Sequence, residues 1–154
     1  MATALERSYV TKWLNEFIET EVQILVGDVV APTGGGWQED SSKIGAEFVP
    51  YVVVTPNTAT PKDPSLDDPS QDWAVPYTVT VYGVDRNQVE DLADVVRVAL
   101  LAVKKVALTM SQSNWRMTTI KCNSIGGVGY TSAVSPTAYS QSDSFTLTLS
   151  RSLA

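Results

Sequence analysis

The stretch Trp73-Ala74-Val75-Pro76-Tyr77-Thr78-Val79-Thr80-Val81-Tyr82-Gly83, followed at once by Val84-Asp85-Arg86-Asn87-Gln88-Val89-Glu90-Asp91-Leu92-Ala93, decides the fold. Its first half alternates. Tyr77, Val79 and Val81 fall on one side and Thr78, Thr80 and Tyr82 on the other, the period of a strand with one face in a core. Its second half changes period: Val89, Leu92, Val95 or Val96, Ala99, Leu100, Val103 and Val106 share one side of a helix running from about Arg86 to Ala107. Asp85 suits the N-cap, with Gln88 three residues on. Glu90 and Asp91 lie near the positive end of the helix dipole, and Lys104 and Lys105 near its negative end.

Working outward, a second amphipathic helix opens the chain. Leu5, Tyr9, Val10, Trp13, Leu14, Phe17 and Ile18 form its apolar face, and Thr3 with Glu6 makes a capping box. Its polar face carries both signs of charge rather than a basic stripe, so the helix reads as a packing element and not as a membrane-surface helix. Val22 to Val30, interrupted by Gly27-Asp28, reads as a first strand with a kink. Phe48 to Thr55 reads as the next, with Pro50 marking an edge or a strand entry. Toward the C-terminus, Trp115 to Ile125 reads as a strand and Gly126-Gly127-Val128-Gly129 as a turn or bulge. Tyr130 to Tyr139 is a mixed strand and loop containing Pro136, and Ser144 to Arg151 closes the chain with Phe145, Leu147 and Leu149 on one side.

This order, with no repeat and no βα alternation, predicts one α+β domain over 1–154: a mostly antiparallel sheet packed against two principal helices. Two long exposed loops are expected. One covers about 31–47, with Gly34-Gly35-Gly36 and Trp37. The other covers about 56–72, with four prolines and four aspartates.

Composition excludes more than it includes. The chain has no histidine, which removes the usual general base near neutral pH and the commonest zinc ligand. An enzyme would need a carboxylate pair, a lysine base or a magnesium site. Yet Glu39 with Asp40, and Asp63, Asp67, Asp68 and Asp72, lack the spacing of a calcium loop. Neither glycine cluster leads into a helix as a phosphate-binding loop does. No catalytic, cofactor or metal residue is therefore expected. A net charge of −6 gives no footprint for phosphate neutralisation, so direct DNA binding is not expected. The single cysteine, Cys122, excludes an internal disulfide and suits a small buried apolar role in a reducing cytosol. No signal peptide and no bilayer-spanning stretch is expected.

The plan resembles that of the tail terminator proteins of long-tailed bacteriophages. The resemblance rests on the N-terminal helix, on Phe48-Val49-Pro50-Tyr51-Val52-Val53-Val54, and on Trp73 to Gly83 feeding into the helix with Glu90, Asp91, Leu92 and Ala93. Ser135-Pro136 and Asp143-Ser144-Phe145-Thr146-Leu147-Thr148-Leu149 complete it. It covers most of the chain as a pattern of hydrophobicity and turns, and the loop Pro56 to Asp72 is longer than the pattern requires. The resemblance implies a non-enzymatic structural protein, assembled in the host cytoplasm and placed at the head-proximal end of the virion tail. Copies of it would form a ring, typically a hexamer, that caps the finished tail tube, stops its polymerisation and offers the head-joining surface. Its partners would be itself, the tail tube protein and a head completion or connector protein, with DNA passing through unbound. On this reading the expected assembly contacts are Trp37, Glu39, Asp40, Asp67, Asp68 and Trp73. Another neck or tail ring protein has a similar pattern. A surface carbohydrate-binding module, using exposed Trp37 and Trp73 as a sugar platform, is the rival from a different class.

Overall fold

Alternation over the deciding stretch produces a long strand whose inner residues, Val75, Tyr77, Val79 and Val81, are at most 2% exposed. The computed structural model describes residues 6–37, 48–61, 72–103, 106–109, 114–131 and 138–151. In chain order the elements are α1 (Arg7–Val22), β1 (Leu25–Asp28), β2 (Gly36–Trp37), β3 (Phe48–Val49), β4 (Tyr51–Pro56), β5 (Thr60–Pro61) and β6 (Trp73–Gly83). They continue with α2 (Arg86–Leu101), β7 (Val106–Thr109), β8 (Asn114–Ser124), β9 (Gly129–Thr131) and β10 (Ala138–Arg151). The main sheet runs β1-β4-β6-β10-β8-β7, with β5 beside β6 and β9 beside β10, while β2 and β3 form a separate ribbon. Every pairing in the main sheet is antiparallel except β1 with β4, so the sheet is mixed and strand-dominated.

Both helices lie on one face. α2 packs on β6, β10 and β8, while α1 packs on α2 and reaches the two outermost strands, β1 and β7. The core between the layers draws Val10, Leu14 and Ile18 from α1, and Ala93, Val96 and Leu100 from α2. The strands contribute Val52, Val54, Tyr77, Trp115, Met117, Phe145, Leu147 and Leu149, among others. Burying one such aliphatic side chain stabilises the fold by about 1.5–3 kcal/mol.

Several boundaries differ from expectation for identifiable reasons. The second helix ends at Leu101, and Ala107, expected within it, lies in β7. Val106 and its neighbours pair with Met117 to Asn114, so sheet formation overrides a helical pattern there. Val96, not Val95, faces the core. Val22 belongs to α1, and the first strand is shorter, because Gln23 at φ 56 turns the chain sharply after the helix. Pro50 is a strand entry but not an edge marker: it separates β3 from β4, and β4 lies inside the sheet between β1 and β6. Thr3 and Leu5 lie outside the described residues; Glu6 occupies the N-cap of α1 without a side-chain cap bond. At α2 the expected cap is present, with Asp85 Oδ1 accepting from the Gln88 backbone N–H at 2.8 Å. Gln88 Oε1 reaches back to the Val84 N–H at 2.8 Å. Lys104 and Lys105 are outside the described residues.

The last strand is longer than expected, fourteen residues from Ala138. Its pairing with β8 contains two irregularities, between Ser144 and Phe145 and between Thr148 and Leu149, which leave Asn123 and Thr118 without an opposite residue. The second one matters for packing. Cys122 and Ile120 alternate in even positions, whereas Met117 and Trp115 are odd, and the extra residue at Thr118 returns both of the latter to the core face. Among the described residues no helix is long and apolar enough to cross a membrane.

Truncation at the centre tests this packing. Leu147→Ala lowers the free energy of unfolding by about 2–5 kcal/mol in urea titration, the range for emptying a fully buried leucine site, with the m-value unchanged.

Candidate assembly surfaces

The two faces of the sheet differ in chemistry because every inner strand alternates. Opposite the helices lie Tyr51 and Thr55 of β4, Thr78, Thr80 and Tyr82 of β6, Ser144, Thr146, Thr148 and Ser150 of β10, and Arg116, Thr119, Lys121 and Asn123 of β8. These open-face positions hold many hydroxyls, two cations and no carboxylate. Many hydroxyls are already partnered. Thr80 and Ser142 share a hydrogen bond of 2.8 Å, and the Asn57 amide donates to Thr78 Oγ1 at 2.9 Å. The bulged Asn123 donates to Thr146 Oγ1 at 2.5 Å and to Ser144 Oγ at 3.4 Å. At the β4 corner the rings of Tyr51 and Tyr82 stack 4.6 Å apart, with Phe48 6.2 Å from Tyr51. The chain after β1 folds over this corner, so that a Cβ on Gly27 would lie 2.0 Å from the Val30 carbonyl oxygen. Burial, and then the neighbouring Tyr82, raise the Tyr51 phenol above its usual pKa.

The helix side has two polar features. An open groove of about 540 Å³ lies along α1, lined by Arg7, Thr11, Lys12, Glu16, Glu19 and Asp28 among others. Arg7 Nη2 donates to the Asn57 carbonyl. Thr11 Oγ1 bonds the Tyr77 hydroxyl at 2.9 Å, anchoring the helix to β6. Burial raises the Tyr77 pKa, a shift that the Thr11 bond and Arg7 oppose and Asp28 augments.

The second feature is a charge cluster at the start of β10, on the core-facing register where Gln141 and Asp143 are each 4% exposed. Asp143 Oδ1 accepts from Gln141 Nε2 and from the Gly126 N–H, both at 3.0 Å, and Oδ2 lies 3.6 Å from Arg97 Nη1. Arg97 is also bonded to Asp94 on its own helix. The glycine is required: a Cβ at Gly126 would meet the Ser142 carbonyl oxygen at 2.1 Å. This cluster ties the β8–β9 turn, β10 and α2 together, and sequence reading missed it. Asp143 stood inside the quoted final segment, but only the strand starting at Ala138 places it on the same side as Phe145.

Glu39, Asp40, Asp67 and Asp68 lie outside the described residues. The backbone of Trp37 pairs with Phe48 in the small ribbon, so the region expected as loop 31–47 contains the two-residue strand Gly36–Trp37. Thr60 and Pro61 likewise pair with Ala74 and Trp73, shortening the second loop. Trp73 is not an exposed contact. It sits on the core-facing register of β6, half-buried against the apolar cluster, with its indole N–H shielded from solvent. Trp115 is fully buried and Trp13 stacks on Phe17 at 5.2 Å, as their helical and strand patterns indicate. Cys122 is a free thiol, half-buried rather than buried, and packs on the core. Among the described residues no three His, Cys, Asp or Glu side chains form a group able to hold a metal ion.

Two outcomes test this account. Replacing Asp143 by Ala leaves the Gly126 N–H and the Gln141 amide without their acceptor, while Arg97 keeps Asp94, and costs about 1–3 kcal/mol of stability, read as a fall in the urea midpoint. At alkaline pH the sign follows from Tyr77. Its folded pKa is raised above the ordinary 10.0, so its contribution is complete below pH about 10 and is lost as pH rises through the folded value. Tyr77→Phe therefore flattens the alkaline fall in Tm relative to wild type.

No family model matches the chain, and no curated protein matches it.

Proposed function

We propose that the chain is a structural protein of a long-tailed phage, a tail terminator. In this reading its copies form a ring that caps the completed tail tube, stops polymerisation and presents the surface for head joining. The tail tube protein lies on one side and a head completion or connector protein on the other, with DNA passing through the centre. The observation that carries the reading is the contrast between the two broad faces of a thin two-layer domain. One is a helix layer with exposed valines and carboxylates; the other is a hydroxyl-rich sheet with two cations. Unlike faces favour head-to-tail contacts, and head-to-tail contacts whose rotation closes make rings.

Capping asks for no chemistry, only for a ring that matches the tube below and refuses tube protein above. The strands β1 and β7 each have one neighbour in the sheet. Their outer edges offer backbone groups for contacts between rings. A channel wall free of cations would let DNA pass without adhesion. The open sheet face carries Arg116 and Lys121, so on this reading the wall is built from carboxylate-bearing parts of the chain.

Native mass spectrometry over a concentration series, with negative-stain imaging of the same samples, tests the reading: a closed ring with a central channel is expected. Shortening the loop between Thr60 and Ser70, with the Thr60–Pro61 pairing kept, leaves the monomer folded and abolishes ring formation or tail joining. Unchanged assembly would remove that loop from the contact surface.

A further inference from the structure

The outward side of α2 is more apolar than a helix facing only water needs to be. Val95, Val98 and Leu101 are 51%, 66% and 47% exposed. With Asp91, they occupy a sector of roughly 120° at 3.6 residues per turn. The other charges of this helix are engaged within it: Arg86 holds Glu90 at 2.7 Å, and Arg97 holds Asp94. Asp91 is exposed and has no partner among the described residues. On the far side of the domain, Arg116 and Lys121 are exposed and likewise have none. They flank Thr119, and across the strand pair lie Thr146, Thr148 and Ser150. A threonine-lined surface between two cations complements a valine stripe that begins with a carboxylate.

We propose that the occupant of the α2 stripe is a second copy of this chain: the Asp91-Val95-Val98-Leu101 face of one copy docks on the Arg116-Thr119-Lys121 face of the next. The contact is heterologous, because each copy uses a different surface, and repeating it generates a closed ring or a filament. Docking covers the three aliphatics, turns two layers into three at the junction, and pairs Asp91 with a cation that has no partner among the described residues of its own chain. The inference rests on the self-assembly reading above and assigns its subunit interface.

Three variants test it, with monomer fold monitored by circular dichroism and Tm. Asp91→Arg, Val98→Asp and Lys121→Glu each weaken self-association at least about tenfold by sedimentation velocity, without loss of fold. Combining Asp91→Arg with Lys121→Glu in one chain restores assembly. Mixing Val98→Asp with Lys121→Glu is the decisive arm. The intact helix face of Lys121→Glu meets the intact sheet face of Val98→Asp, giving a 1:1 heterodimer that grows no further because the two altered faces repel. If wild-type rings form and all three variants assemble normally, this interface is wrong while the ring reading stands. A wild-type two-fold dimer, or a monomer at every concentration, overturns the proposal; the dimer also removes the ring.

Discussion

The pairing of β10 with β6 governs the rest of the molecule. Eleven residue pairs, from Tyr139 with Gly83 to Leu149 with Trp73, run in one register without a break. Because side chains alternate, this register decides at once that Val75, Tyr77, Val79 and Val81 share a face with Phe145, Leu147 and Leu149. A slip of one residue would exchange that face for threonines and serines. Against the apolar side, α2 packs directly after β6. The outer strands, β4 and β8, then continue the same division between a dry face and a hydroxyl face.

On the dry face the exceptions are as informative as the rule. Gln141 and Asp143 occupy core-facing positions of β10 where a simple sheet would place aliphatics. A buried carboxylate is tolerated because it has two hydrogen-bond donors at 3.0 Å and an arginine beside it. Replacing a whole buried charge cluster by apolar groups of similar volume is often neutral in energy. Its physical consequence is specificity: Arg97, already paired with Asp94, gains a second carboxylate only when α2 lies correctly over β10, and the Gly126 N–H finds its acceptor only when the β8–β9 turn is closed.

Much of this was legible in the amino-acid sequence, and what was not has local causes. The alternation from Pro76 to Val84, the Asp85 cap and the Phe145-Leu147-Leu149 face are local patterns, and each is present. Three things depended on distant partners. The parallel pairing of β1 with β4 joins Leu25 to Tyr51, and nothing in either segment specifies direction. The bulge at Thr118 reconciles Ile120 with Met117 only because β10 lies alongside. Trp73 reads as the start of order after a polar loop, yet the β6 register turns it inward. Val95 shows the limit differently: at helical spacing it competes with Val96, and one residue of rotation decides which meets the core and which remains exposed. For the candidate surfaces, sequence supplied the residues in loops but not the stripe on α2, because that stripe exists only once Val96 has taken the inner position.

The hydroxyl face bears on how such a domain discriminates among partners. A sheet face of unpaired hydroxyls would offer hydrogen bonds to any polar surface. Here Thr80 is satisfied by Ser142, Thr78 by Asn57, and Thr146 and Ser144 by Asn123. A partner that lands on the middle of this face must break internal bonds to gain its own, so the net return is small. The face therefore resists indiscriminate adhesion without needing charge, and what selectivity it has is displaced to β8, where Arg116 and Lys121 stand without partners in the described structure. Attraction confined to one strand sets orientation as well as identity. A neighbour bearing a single carboxylate beside an apolar stripe can satisfy those cations in one pose, whereas a uniformly acidic surface would be held in many.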